Sequence, residues 1–302
     1  MKKLWRTLTI TAFASLTLLQ CRSAAPGLHH VQVNGVELHY TDIGKGTPIV
    51  FIHGGLVDYR EWLPTIDALG PGYRSIAYSR RYNYPNHNPL PDLRNHSAVV
   101  EAEDLRALIE RLGIQPVNLV GVSYGGFTAL LLAMEHPEMV RSLVVVEPAI
   151  LSWLPDIPGG QALLDDFNSR LIIPTRSAFR SGKPDDALRV ATSYFVGSND
   201  AYDHIPSEFR EMLRANIVEW EAIMTSSNAF PMVDRASVHQ LSMPILMLSG
   251  EKSYAIGKAI DAELERVLVN EKRVIIPNGT HDMCTEYPQV CAAEIGRFLG
   301  QR

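Results

Sequence analysis

The chain has 302 residues, 46% of them hydrophobic and 20% charged, a globular composition long enough for one large domain or one domain carrying an insertion. Intrinsically disordered and collagen-like classes are excluded. A formal charge of -5 with no basic stripe also argues against nucleic acid as a partner.

Residues 1–23 differ from the rest. Lys2, Lys3 and Arg6 precede a charge-free apolar stretch over 8–19 and the small-residue run Ser23-Ala24-Ala25, which is the form of a secretory signal peptide. That stretch is shorter than the roughly 20 residues a transmembrane helix needs, and no later segment is long and apolar enough to span. Leu18-Leu19-Gln20-Cys21 resembles a bacterial lipoprotein box, with Gln20 where the pattern prefers a small residue. A lipid anchor at Cys21 and plain cleavage near Ser23 therefore both stay open. The expectation is an exported protein, secreted or periplasmic, with or without a membrane tether. Cys284 and Cys291 then remain as internal thiols, either paired or simply buried.

From about residue 29 onward, apolar runs bounded by turn residues alternate with helical patterns, the sequence form of an α/β fold with a mainly parallel sheet. A β-hairpin is predicted over 30–34 and 36–42 around the Asn34-Gly35 turn. Buried strands are predicted over 48–52, 75–78, 117–122, 142–147, 245–249 and 273–276. Helices are predicted over 99–112, with Gly113 as its C-cap, and over 124–136, 255–268 and 289–299. Nearly a hundred residues separate the strands that end at Glu147 and begin at Ile245. They carry helical patterns over 161–171, 185–195 and 207–224, and a structureless loop of that length is uncommon in a compact domain. The expected organisation is a core over 28–150, a helical cap over 151–240 and the rest of the core over 241–302.

Gly121-Val122-Ser123-Tyr124-Gly125 matches G-x-S-x-G, directly after an apolar strand and directly before a helix. A strand that turns sharply into a helix leaves the Ser123 hydroxyl exposed above the sheet, and the flanking glycines let the backbones pass. A Ser hydroxyl needs a neighbouring base. His281, in the Gly279-Thr280-His281 loop after the last predicted strand, is the candidate. His53-Gly54-Gly55 follows the strand over 48–52, so the backbone N–H groups of Gly55 and Tyr124 are expected to form an oxyanion hole, each contributing on the order of 3 kcal/mol.

These motifs, with the cap-length insertion, resemble the α/β-hydrolase superfamily over nearly the whole chain beyond the leader. The resemblance implies the α/β-hydrolase fold, with a mainly parallel eight-stranded sheet flanked by helices and a helical cap inserted after strand six. The segments Tyr78-Ser79-Arg80-Arg81-Tyr82 and Val146-Glu147-Pro148 also resemble a bacterial subgroup of capped hydrolases. In the family's commonest arrangement an Asp lies in a G-x-x-D turn after the strand over 245–249. Here the chain reads Gly250-Glu251-Lys252-Ser253, and Ser253 cannot supply a charge. Two carboxylates compete to orient the imidazole. Glu147 ends an apolar strand, where its charge would be desolvated and in need of a partner such as His281; Glu251 is the fallback. An acid after the sixth strand is similar to the haloalkane dehalogenases and the zearalenone lactonases, and the latter pair it with a Ser nucleophile.

Dehalogenases and epoxide hydrolases of this fold use a carboxylate nucleophile, so Ser123 implies acyl transfer instead. The expected function is a serine-dependent carboxylic ester or lactone hydrolase acting on a medium-sized hydrophobic small molecule, with no metal or organic cofactor. Trp153, Phe167, Tyr194, Phe195, Trp220 and Met224 are candidates to line an apolar pocket, each weighed against plain core packing. Arg80 and Arg81 are expected to pair with structural carboxylates rather than with substrate. Carbon-carbon bond hydrolysis by the same groups, and a non-catalytic ligand-binding role, are the alternatives.

Overall fold

The Asn34-Gly35 turn places both of its residues at positive φ, the backbone a two-residue hairpin requires. Around it β1 (Leu28–Val33) and β2 (Val36–Ile43) pair antiparallel, with Val33 opposite Val36. This computed structural model describes residues 27–89 and 96–300. The leader over 1–23 and the anchor candidate Cys21 lie outside them. The remaining strands are β3 (Thr47–Ile52), β4 (Tyr73–Tyr78), β5 (Val117–Val122), β6 (Val140–Val146), β7 (Ile245–Gly250) and β8 (Glu271–Ile276). They form one eight-stranded sheet in the order β1-β2-β4-β3-β5-β6-β7-β8. The pairs involving β2 are antiparallel and all the others parallel.

The central strands read as unbroken apolar runs because both of their faces are covered. In β6, Leu143 and Val145 face one core while Val144 and Val146 face the other; in β7, Ile245 and Met247 oppose Leu246 and Leu248 in the same way. The first core is closed by α2 (Ala98–Leu112), α3 (Ser123–Glu135) and α11 (Ala255–Val267), through residues such as Leu105, Phe127 and Ile260. The second is closed by α1 (Leu63–Leu69) and α12 (Pro288–Gly300), through Ile66, Ile295 and Phe298. Each such side chain contributes about 1.5–3 kcal/mol when fully buried. Helix α2 starts where the Ser97 hydroxyl accepts the Val99 N–H and stops at left-handed Gly113.

Between β6 and β7 the chain forms the helical insertion: α4 (Gly160–Phe167), α5 (Ile173–Arg180), α6 (Pro184–Val196), α7 (Ala201–His204), α8 (Ser207–Ala215), α9 (Ile217–Thr225) and α10 (Arg235–His239). A π-helical turn, Asn168–Ile172, joins α4 to α5. The pattern over 207–224 is therefore two helices rather than one. Asn216 breaks it, because its side chain is drawn into the core: Nδ2 donates to Asp58 Oδ2 and Met212 O, and Oδ1 accepts the Tyr84 N–H. The strand expected over 142–147 also ends one residue early, since Glu147 takes a φ of 45°. The apolar spacing does not reveal helices α1 and α5, because each carries a proline in its first turn and is too short to repeat a period clearly. Among the described residues no helix is long and apolar enough to cross a membrane.

Candidate active site

Parallel strands share one carboxyl edge, so the loops after β3, β5, β6, β7 and β8 gather there. At that edge Ser123 has a φ of 52° and Glu147 one of 45°, left-handed backbone that costs each of these residues about 1–3 kcal/mol. The crowding that forces the turn is measurable. A Cβ on Gly121 would lie 2.5 Å from Gly125 O, and one on Gly125 would lie 2.3 Å from His53 O. The elbow thus locks β5, α3 and the loop after β3 together. The turned chain is tied to β6 as well, since the Ala149 N–H donates to Ser123 O at 3.2 Å.

His281 follows β8 and meets the end of β6: its Nδ1 lies 2.6 Å from Glu147 Oε2. Glu147 is 1% exposed, and its remaining capacity is filled by the Gly250 N–H at 2.8 Å and the Ser253 hydroxyl at 2.5 Å. Three donors hold one buried carboxylate, which fixes the imidazole's proton on Nδ1 and leaves Nε2 free to accept. Ser253 carries no charge but orients the group that does. Glu251, the fallback acid, is not brought to the imidazole. It is exposed, and it accepts the Asn278 N–H at 2.8 Å, closing the turn between β7 and the His281 loop.

Burial opposes a charge on His281, but the hydrogen bond and charge of Glu147, with Asp282 and Glu61 adding to them, outweigh it and raise the pKa above the ordinary 6.5. Tyr254 packs edge-on against the imidazole at 4.8 Å, and Phe195 from α6 stacks parallel to it at 6.0 Å. Burial also pushes Glu61 up to about 7, against the hydrogen bond it accepts from the Gly54 N–H at 2.9 Å.

Ser123 and His281 line one pocket together with Gly54, Gly55, Tyr124, Glu61 and Tyr254. The insertion supplies its apolar side through Phe167, Phe195, Phe209, Leu213, Trp220, Ile223 and Met224. Of the expected lining residues, Trp153 and Tyr194 are not part of it. Trp153 is fully buried, its Nε1 donating to Val233 O. Tyr194 packs behind, edge-on to Phe167 and Phe195. Arg81 pairs with Asp104 at 2.8 Å, and fully buried Arg80 pairs with Glu219 and Glu101. Nothing in the sequence singled out Glu61, Tyr254 or Glu219, because each owes its place to a loop or cap packing without a motif.

The family model described as the alpha/beta hydrolase fold matches residues 47–287. The chain belongs to the α/β-hydrolase family. It is 29% identical over 191 residues to a soluble epoxide hydrolase of Corynebacterium sp. (strain C12), covering 61% of this chain and 63% of that relative. It is 24% identical over 260 residues to carboxylesterase YbfK of Bacillus subtilis (strain 168), covering 83% of this chain and 79% of that one. The crystal structure of epoxide hydrolase VrEH1 from Vigna radiata superposes with a TM-score of 0.73 at 18% identity, covering 91% of this chain and 98% of that one, a likeness of fold. Carboxylesterases and epoxide hydrolases of the α/β-hydrolase fold are thus its relatives, and the chain is a hydrolase by family.

Proposed function

We propose that this hydrolase cleaves carboxylic esters, lactones included, of medium-sized and mainly apolar substrates through an acyl-enzyme on Ser123. The observation that carries the reading is the 2.6 Å hydrogen bond between His281 and buried Glu147, in the pocket that Ser123 also lines. His281 Nε2 takes the Ser123 proton as Oγ attacks the carbonyl carbon, and the carbonyl electron pair moves onto oxygen. The N–H groups of Gly55 and Tyr124 receive that oxyanion. Collapse expels the alcohol with the proton from His281, and a water deprotonated by the same imidazole then releases the acid and restores Ser123.

Relatedness to epoxide hydrolases does not favour epoxide opening here. Attack by a carboxylate on an epoxide leaves an ester that water can cleave, whereas attack by a hydroxyl leaves an ether that it cannot. The apolar residues contributed by the insertion support a hydrophobic acyl or alcohol group rather than a charged one.

Stopped-flow turnover of p-nitrophenyl esters of graded chain length, beside lactones and a styrene oxide control, tests the proposal. Expected are a burst of nitrophenol stoichiometric with enzyme, a preference for medium chains and no epoxide opening. Epoxide turnover without ester turnover would overturn it, and so would full ester turnover by Ser123→Ala.

A further inference from the structure

The peptide between Gly54 and Gly55 is held with unusual thoroughness. Its carbonyl, Gly54 O, accepts from Arg80 Nη2 at 2.9 Å and from His53 Nδ1 at 2.8 Å. The Arg80 N–H donates to His53 Nε2 at 3.0 Å, which assigns the ring proton to Nδ1. Burial first, and the Arg80 charge second, keep that imidazole neutral, as a donor to Gly54 O requires. On either side, the Gly54 N–H is held by Glu61, and the Leu56 N–H donates to Glu219 Oε2 at 3.0 Å. Glu219 comes from α9, and its other oxygen binds Arg80 Nη2. Glu101 Oε1 lies 3.5 Å from Arg80 Nη1. Arg80, Glu101 and Glu219 are all 0% exposed.

A trans peptide is planar, with its C=O and N–H pointing opposite ways. Fixing Gly54 O toward Arg80 therefore fixes the Gly55 N–H in the opposite direction. The same guanidinium lies 4.9 Å over the ring of Tyr124, the residue that carries the second expected oxyanion donor. Next to Glu219, Trp220 bears on Gly55, its Cζ3 lying 3.4 Å from where a Cβ would stand.

We propose that Arg80 and Glu219 are positioning residues that aim the oxyanion donors at the Ser123 site, so that α9 of the insertion completes the oxyanion hole rather than only roofing the pocket. This rests on the esterase reading above. A buried ion pair that held the fold alone would affect ground-state and transition-state binding equally; one that aims a donor at developing charge acts on the transition state.

The test compares wild type with Glu219→Gln, which keeps the shape and removes the charge, and with Arg80→Lys, which keeps the charge and loses the fork. Each is assayed for kcat and KM on p-nitrophenyl butyrate and for inhibition by a trifluoromethyl ketone of matching chain. The Ser123 oxygen adds to that ketone carbon, the carbonyl electron pair becomes an oxyanion and the Ser proton passes to His281. The methyl ketone serves as the ground-state probe, and hydrogen exchange of a peptide spanning residues 53–57 is followed in parallel. Expected for both variants are a kcat lower by about 10–100-fold, trifluoromethyl ketone affinity lower by the same factor, KM and methyl ketone affinity within about threefold, and faster exchange over 53–57. An active wild type whose folded variants keep both kcat and trifluoromethyl ketone affinity overturns the proposal and leaves the esterase reading standing. So does a fall in kcat with unchanged trifluoromethyl ketone affinity. A wild type that neither turns over esters nor binds the trifluoromethyl ketone overturns the esterase reading itself, and with it the oxyanion role.

Discussion

Glu147 separates the two acids that the sequence left in competition by what it can reach. A carboxylate 1% exposed that accepts from Gly250, Ser253 and His281 holds an imidazole; an exposed one that accepts from Asn278 holds a turn. Glu147→Gln should lower kcat on the order of 10³–10⁴-fold, since an amide can donate to Nδ1 and favours the wrong tautomer, while Glu251→Gln should leave turnover unchanged. Steady-state kinetics of the two variants check this directly. The same contact sets a pH dependence. His281 must be neutral to accept the Ser123 proton, and its pKa is raised mainly because Glu147 outweighs the cost of burial, with Asp282 and Glu61 as the other carboxyls bearing on it. Activity should therefore rise with pH through a midpoint above 6.5. In Glu147→Gln the residual activity should titrate at lower pH, because burial then acts with less opposition. A kcat/KM profile with an unmoved midpoint would contradict the contact.

At the scale of elements, two junctions should resist change most. Gly125→Ala drives a Cβ to within 2.3 Å of the His53 carbonyl, a backbone atom with no side-chain rotation to relieve the clash, so soluble folded protein should be largely lost, as expression and thermal unfolding would report. Asn216→Ala removes the side chain that ties the α8–α9 break to Asp58 and Tyr84 and should cost about 2 kcal/mol in denaturant unfolding. These two junctions also mark what was legible in the sequence. Gly121, Ser123 and Gly125 announce their geometry because the turn itself dictates residue type. Asn216 does not: within 207–224 the apolar spacing runs on through it, and only tertiary partners 158 and 132 positions away, Asp58 and Tyr84, end the helix. Likewise Ser123, His281, Gly55 and Tyr124 could be picked out by motif and strand position. Glu61 and Tyr254 reach the pocket, and Glu219 reaches Arg80 behind it, by packing that no local pattern encodes, whereas Trp153 and Tyr194 carry the residue type of a pocket wall and pack elsewhere.

Across the whole molecule, the alternation of apolar strands and amphipathic helices was enough to anticipate the sheet, its mainly parallel sense and the helical insertion, because burial on both faces leaves a strong imprint on composition. The buried carboxyl of Asp261 leaves none, and it bears on stability. Asp261 is raised from its ordinary 3.8 to about 7, first by burial and then by the charge of Glu147, against the hydrogen bond from Ser249. The folded state thus keeps a proton that the unfolded chain releases. Its contribution is complete below pH 3.8 and is lost as pH rises through 7. Asp261→Asn should accordingly flatten the fall in Tm between about pH 4 and 7. An unchanged slope would show that the carboxyl does not titrate there. The central claim, that a strained serine at the carboxyl edge of the sheet is activated by the His281–Glu147 pair, is tested most directly by intact-mass and peptide mapping after exposure to a fluorophosphonate. The account predicts one adduct per chain, on Ser123, formed rapidly in wild type and lost or slowed by orders of magnitude in His281→Ala. An unlabelled wild type, or an adduct on another residue, would contradict it.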